Sequence, residues 1–169
     1  IKYAHDGGET IADSFTFTVS DGLDATVETT TDITITPIND APLLSATGTA
    51  LTIVDGSTPL FSAASVDAIE VGDTIKELVL TVSGLKDGAG EKLTVNGSDI
   101  ILTNTTSGVA SGSVFYSVAV TGTTATVTLS HFGLTELQTK TLIESISYKD
   151  TASVPSNGVR AITITSIKD

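Results

Sequence analysis

Apolar residues recur at every second position through much of this chain, and hydroxyl side chains fill the places between them. Residues 14–20 read Ser-Phe-Thr-Phe-Thr-Val-Ser, so Phe15, Phe17 and Val19 fall on one side of an extended segment. Leu78, Leu80 and Val82 repeat the pattern, as do Val114, Tyr116, Val118 and Val120, and then Ala125, Val127 and Leu129. A period of two puts one set of side chains on a core and the other in water. The second set needs a polar residue that tolerates a pleated backbone, and β-branched Thr meets both demands. The chain carries 30 Thr and 18 Ser among 169 residues. Only five Phe, three Tyr and no Trp are present, so Val, Ile and Leu must fill the interior. The pattern predicts an all-β protein.

Breaks in the pattern mark the organisation. Asp21-Gly22, with Asp24 in the same turn, ends the first strand, and a second over 25–37 completes a hairpin. Pro37-Ile38-Asn39-Asp40-Ala41-Pro42 then places two prolines in a stretch that cannot lie inside a sheet. A domain boundary is expected here, with residues 1–42 as the closing strands of one module and 43–169 as a second. Two or three strands are too few for an independent domain. The sequence reads as a piece of something longer. After the boundary, strands are expected over 51–54, 76–83, 92–95, 98–103, 113–121, 125–130, 143–148 and 159–167. Asn96-Gly97 predicts a two-residue hairpin, because both residues tolerate positive φ, and Gly122-Thr123-Thr124 predicts another. Thr135-Glu136-Leu137-Gln138 fits a capping box. It opens one short helix, expected to cross between sheets with Leu134, Leu137 and Leu142 toward the core. Strands at this spacing predict a β-sandwich.

Charge narrows the function classes. Eight Lys and Arg stand against twenty Asp and Glu, a formal charge of −12, which disfavours nucleic acid and anionic membrane surfaces as partners. No apolar run approaches the roughly 20 residues of a membrane span, and the first residues do not read as a signal peptide. The absence of Cys removes disulfides and thiol chemistry. It fits either a reducing compartment or an extracellular protein stapled by metal ions.

The acids gather at turns: Asp6, Glu9 and Asp13; Asp21 and Asp24; Asn39 and Asp40; Asp67, Glu70 and Asp73; and Asp150, with Asn157 beyond it. Calcium takes six to eight oxygen ligands, and carboxylates at every third residue, as in Asp67-Glu70-Asp73 and Asp6-Glu9-Asp13, can wrap such an ion. No basic residue lies between Phe61 and Lys76 to relieve the repulsion. The plain alternative is that acidic turns are solvated, since Asp suits turns without a metal. Asp87-Gly88-Ala89-Gly90-Glu91-Lys92 resembles a calcium-binding nonapeptide only faintly and is expected to be a hairpin loop. Catalytic motifs are missing. Ser130 and His131 lack a nucleophile-elbow context, and His131 is expected at a turn. Arg160, the only arginine, is expected to pair with an acid near Asp150 or with a turn carbonyl.

Residues 3–22, with Tyr3-Ala4-His5-Asp6-Gly7-Gly8-Glu9-Thr10 and Asp13-Ser14-Phe15-Thr16-Phe17-Thr18-Val19-Ser20-Asp21-Gly22, resemble the chondroitin-sulfate-proteoglycan type of cadherin-like repeat. Ile33-Thr34-Ile35-Thr36-Pro37-Ile38-Asn39-Asp40-Ala41-Pro42 is similar to the closing strand and linker of such repeats. Residues 43–169 resemble modules of very large repetitive bacterial surface adhesins of the RTX kind. The residues that carry this are Asp67 to Asp73 before Leu78-Val79-Leu80-Thr81-Val82-Ser83-Gly84, then Ile146 to Asp150 and Pro155 to Arg160. The resemblance implies an immunoglobulin/cadherin-like sandwich in a calcium-rigidified tandem array, exported by a type I route to the cell surface. It nominates Asn39 and Asp40 as linker ligands for Ca2+, although the linker departs from the double-acid pattern of cell-adhesion cadherins. The function expected is that of a non-enzymatic extender, whose partners are neighbouring modules of the same chain. The alternative is a glycan- or peptide-binding module of the same adhesin, with aromatic platforms sought among Phe61, Phe115, Tyr116, Phe132 and Tyr148.

Overall fold

The computed structural model describes residues 2–5, 8–23, 26–49, 51 and 57–169, with Phe132 described by its backbone alone. Asp6, Asp24 and most of the strand expected over 51–54 lie outside these residues. The chain divides into two compact units, Ile1–Asp40 and Ala41–Asp169.

The first unit is one antiparallel hairpin of β1 (Ala12–Ser20) and β2 (Thr26–Thr34), with Phe15 opposite Thr31, Phe17 opposite Thr29 and Val19 opposite Val27. Its register gathers Phe15, Phe17, Val19, Val27 and Ile33 on one face and leaves hydroxyls and acids on the other. That apolar face is open: Phe17, Val19 and Val27 are exposed, and the Phe15 and Phe17 rings stand 5.9 Å apart.

The second unit is an all-β sandwich with one short helix. Its strands are β3 (Leu43–Gly48), β4 (Thr58–Pro59), β5 (Phe61–Asp67), β6 (Ile75–Ser83), β7 (Glu91–Val95), β8 (Ser98–Ile101), β9 (Ser107–Ala110), β10 (Val114–Thr121), β11 (Thr124–Leu134), β12 (Ser147–Asp150) and β13 (Ala161–Lys168). One sheet runs β13-β6-β11-β10-β9, another β4-β12-β7-β8, and β3 pairs with β5, all antiparallel. Leu78, Leu80 and Val82 on β6, Ala125, Val127 and Leu129 on β11, and Leu93, Val95 and Ile100 on β7 and β8 are fully buried in one contiguous core. The outward positions of β11 carry the hydroxyls that the alternation predicts, Thr124, Thr126, Thr128 and Ser130, while those of β6 are Glu77, Val79, Thr81 and Ser83.

Turn chemistry follows the sequence where it was sharpest. Asn96 and Gly97, at φ 47° and 79°, join β7 to β8 with Val95 opposite Ser98. Gly122, at φ 60°, opens the turn from β10 to β11. A bulge at Thr165 keeps β13 in phase: Ile162, Ile164 and Ile167 all face inward, opposite Val82, Leu80 and Leu78. Without the extra residue Ile167 would turn to solvent.

Helix α1 (Glu136–Ser145) links the five-stranded sheet to the four-stranded one. Thr135 Oγ1 accepts from the Gln138 amide while the Gln138 side chain accepts from the Thr135 amide, completing the capping box. Thr135→Ala is expected to cost about 1 kcal/mol, read as a shift in the urea midpoint with the slope unchanged. The helix also covers an open edge. Glu144 and Glu136 accept hydrogen bonds from the amides of Ala64 in β5 and of Ala68 just after it, both at 3.0 Å, satisfying donors that would otherwise be available to another strand.

Several expectations are corrected. The apolar run at 143–148 is not one strand: α1 extends through Ser145, burying Leu142 and Ile143, and β12 starts at Ser147. A short apolar run serves either element equally well. Leu137 points outward, 71 % exposed, while Leu142 faces the core. The 87–92 segment does not turn a hairpin, because β6 and β7 lie in different sheets; it crosses between them through a 3-10 turn at Gly88–Gly90. His131 is no turn residue. It lies in β11, in a bulge between Ser130 and Leu134, with Nδ1 accepting from the Gly133 amide. Burial lowers its pKa.

On the outer face of the smaller sheet, Lys149 and Lys92 stand directly opposite each other with Asp99 between them. Lys149 Nζ reaches Asp99 Oδ1 at 2.7 Å, and this contact, ahead of the Thr94 hydroxyl bond, lowers the Asp99 pKa from 3.8. A depressed carboxyl contributes stability above its unfolded value and loses it as pH falls through the folded one. Asp99→Asn should therefore be less stable than the parent at pH 6, by under about 1 kcal/mol for so exposed a pair. The gap should close as pH drops below 3.8, as urea unfolding across pH would show.

Candidate metal centres

The acids singled out from the sequence fall into three settings. In the first unit Asp13 and Asp21 have local work. Asp13 accepts from the Tyr3 hydroxyl and the Ser14 amide, and Asp21 caps its own turn by accepting from the Leu23 amide at 2.8 Å. Asn39 donates to the Asp40 carbonyl. Glu9 and Asp40 line one concavity with His5, Ile35 and Pro37.

The second setting is the loop from β5 to β6. Asp67 Oδ1 accepts from the Ile69 amide at 2.8 Å, holding Ile69 at φ 72° and turning the chain so that Glu70 and Asp73 come to one side. A β-branched residue in the left-handed region is a true outlier, and the Asp67 bond is one of its restraints. Glu70 and Asp73 are joined there by Asp169, with one carboxylate oxygen from each lying within 4.8 Å of the others. The spacing pointed to Glu70 and Asp73. Asp169 comes from the far end of the sequence and could not be found by spacing, and Asp67 serves the turn without joining the three.

The third setting is buried. Asp150 closes β12 directly opposite Glu91, the first residue of β7, and Asp87 lies just before the 3-10 turn. One oxygen from each of the three lies within 4.8 Å of the others. Glu91 is completely buried, Asp150 is 8 % exposed and the neighbouring Arg160 2 %. Glu91 is saturated with donors: Oε1 accepts from the Tyr148 hydroxyl at 2.8 Å and from Arg160 Nε, and Oε2 from the amides of Lys86 and Asp87. Asp87 accepts from the Ser156 hydroxyl and amide, with Arg160 Nη2 at 3.5 Å. Asp150 Oδ1 accepts from the Ala152 amide at 3.0 Å, whereas its buried Oδ2 has no hydrogen-bond partner among the described residues.

The electrostatics follow. The Ser156 bonds hold the Asp87 carboxyl below the ordinary range. Burial pushes Asp150 up, and the adjoining Asp87 and Glu91 charges add to the rise. Burial and the bond to Glu91 push the Tyr148 phenol up. Burial acts to lower the Arg160 guanidinium, yet its contacts with Glu91 outweigh this and raise it. From the sequence, Asp150 was singled out and Arg160 was expected to meet an acid near it. Glu91 and Asp87 were missed because nothing in a Lys-Asp-Gly-Ala-Gly-Glu run distinguishes a buried carboxylate from a solvated one.

Of the aromatic residues sought as sugar platforms, Phe61 and Tyr148 are buried, Tyr116 is half-buried and Phe115 is 40 % exposed, while the side chain of Phe132 lies outside the described residues. Among the described residues no helix is long and apolar enough to cross a membrane. No protein-family model, curated protein or solved structure matches this chain.

Proposed function

We propose that this chain is a structural segment of a large bacterial cell-surface adhesin, an extender that spaces and stiffens, with calcium bracing its acidic loops. The observation that carries the reading is the convergence of Glu70, Asp73 and Asp169 from distant parts of the chain onto one patch of the sandwich, in a protein of net charge −12. Carboxylates gathered this closely favour a shared cation, and an all-oxygen set suits calcium. The staple would replace the disulfides that a chain without cysteine lacks. In this role the protein is exported, its partners are adjoining modules of the same chain, and it turns over no substrate.

The test is thermal unfolding in calcium, in magnesium and in chelator. A site occupied at a hundred times its dissociation constant adds about 2.7 kcal/mol. A melting temperature several degrees higher in calcium than in chelator, with Asp73→Asn reducing the gap, is the expected result. Equal melting temperatures in the two buffers would remove the reading.

A further inference from the structure

The buried network is poorly balanced. Asp87, Glu91 and Asp150 carry three negative charges when all are ionised, and Arg160 touches two of them, Asp87 and Glu91. Glu91 and Asp150 also face each other across an antiparallel pair, where like charges are destabilising. Net charge of −2 at nearly complete burial is costly unless something neutralises it. Every oxygen of Glu91 and Asp87 already has a donor, and so does Asp150 Oδ1. Asp150 Oδ2 does not, and it is buried. On the other oxygen of the same carboxylate the backbone packs close: a Cβ at Gly90 would stand 3.0 Å from Asp150 Oδ1 and from the Ala152 amide nitrogen.

We propose that Asp87, Glu91 and Asp150 form an interior site for one divalent, oxygen-seeking cation, with Asp150 Oδ2 as the ligand held in reserve for it. A single shared proton would leave one negative charge uncompensated; a divalent ion cancels both. The ligands are carboxylate oxygens without nitrogen or sulfur, which selects the calcium and magnesium class over zinc or copper. The choice of calcium rests on the reading above, whereas the site rests on the orphaned oxygen and the charge balance.

Tyr148 makes the site readable. Its hydroxyl is bonded to Glu91, and the chain has three tyrosines and no tryptophan. Terbium, a luminescent stand-in for calcium, emits when a nearby phenol is excited. The full chain should show saturable terbium emission that calcium displaces. Tyr148→Phe should remove most of the emission. Asp150→Asn, nearly isosteric and one charge lighter, should weaken binding at least about tenfold while raising the melting temperature in chelator. Emission unchanged in both variants would overturn the interior site. So would a proton in place of the ion, seen as an Asp150→Asn effect on stability with no response of either protein to calcium or terbium at pH 8. Should Asp150→Asn fail to fold, Tyr148→Phe decides alone. Emission lost on Glu70→Gln with Asp73→Asn, but kept in Tyr148→Phe, assigns the ion to the outer patch and overturns the interior site while the extender reading stands. Emission from Tyr148 with a melting temperature indifferent to calcium overturns the extender reading and leaves the site.

Discussion

Arg160→Ala is expected to destabilise the sandwich by about 3–5 kcal/mol, the usual cost of removing one partner from a buried ion pair. The guanidinium is 2 % exposed and touches Glu91 and Asp87, and it also donates to the Gly158 and Ser156 carbonyls. Its removal strands the Glu91 and Asp87 carboxylates without the cation that pairs with them and takes away the contact that fixes the 156–160 segment against the sheet. Arg160→Lys should recover part of the loss, because charge returns without the planar fork that spans two carboxylates. Glu91→Gln should also be costly, yet the double variant should lose less than the two single losses added, by about 0.5–3 kcal/mol, since both remove one interaction. Urea unfolding of the four proteins at pH 7 closes the cycle. A loss below about 1 kcal/mol for Arg160→Ala would place the pair in the weak class of solvated surface bridges, against its burial.

How much of this was legible in the sequence depends on whether a residue's partner is near it in the chain. Hairpins were readable because Asn96-Gly97 and Gly122 set local backbone angles, and α1 because Thr135 and Gln138 satisfy each other over three residues. Strands β6, β10 and β11 were readable from alternation alone. The strands that escaped notice, β3, β4, β5 and β9, are short or rich in Ala, Ser and Gly, so their alternation is faint. Their pairing is supplied from elsewhere: β5 is held by β3 on one side and by two glutamates of α1 on the other. The acids show the same division. Spacing found Glu70 and Asp73 but not Asp169, and it nominated Asp67, whose carboxylate shapes the turn. Asp150 was visible as an acid after a strand. That it opposes Glu91 follows from strand register, which depends on the whole sheet.

Gly84→Ala is expected to be nearly as damaging as loss of Arg160, and for a connected reason. Gly84 follows β6 at φ 82°, and a Cβ there would lie 2.3 Å from the Val159 carbonyl oxygen. A side chain at positive φ costs about 1–2 kcal/mol by itself, and overpacking adds about 1–3 kcal/mol. The obstacle is backbone, so no rotamer relieves it. The residue after Val159 is Arg160, held by Glu91, so the segment cannot drift away without breaking the buried pair. Gly122→Ala is the control: its φ is 60° and nothing lies within 4 Å of the added Cβ, so it should show the dihedral cost alone. The difference between the two losses then measures how firmly the ion pair anchors the 156–160 segment. In an Arg160→Ala background that anchor is gone, and Gly84→Ala should cost little more than Gly122→Ala. Equal additional losses in both backgrounds would mean that β13, through Ala161 opposite Ser83, fixes the segment without help from Arg160.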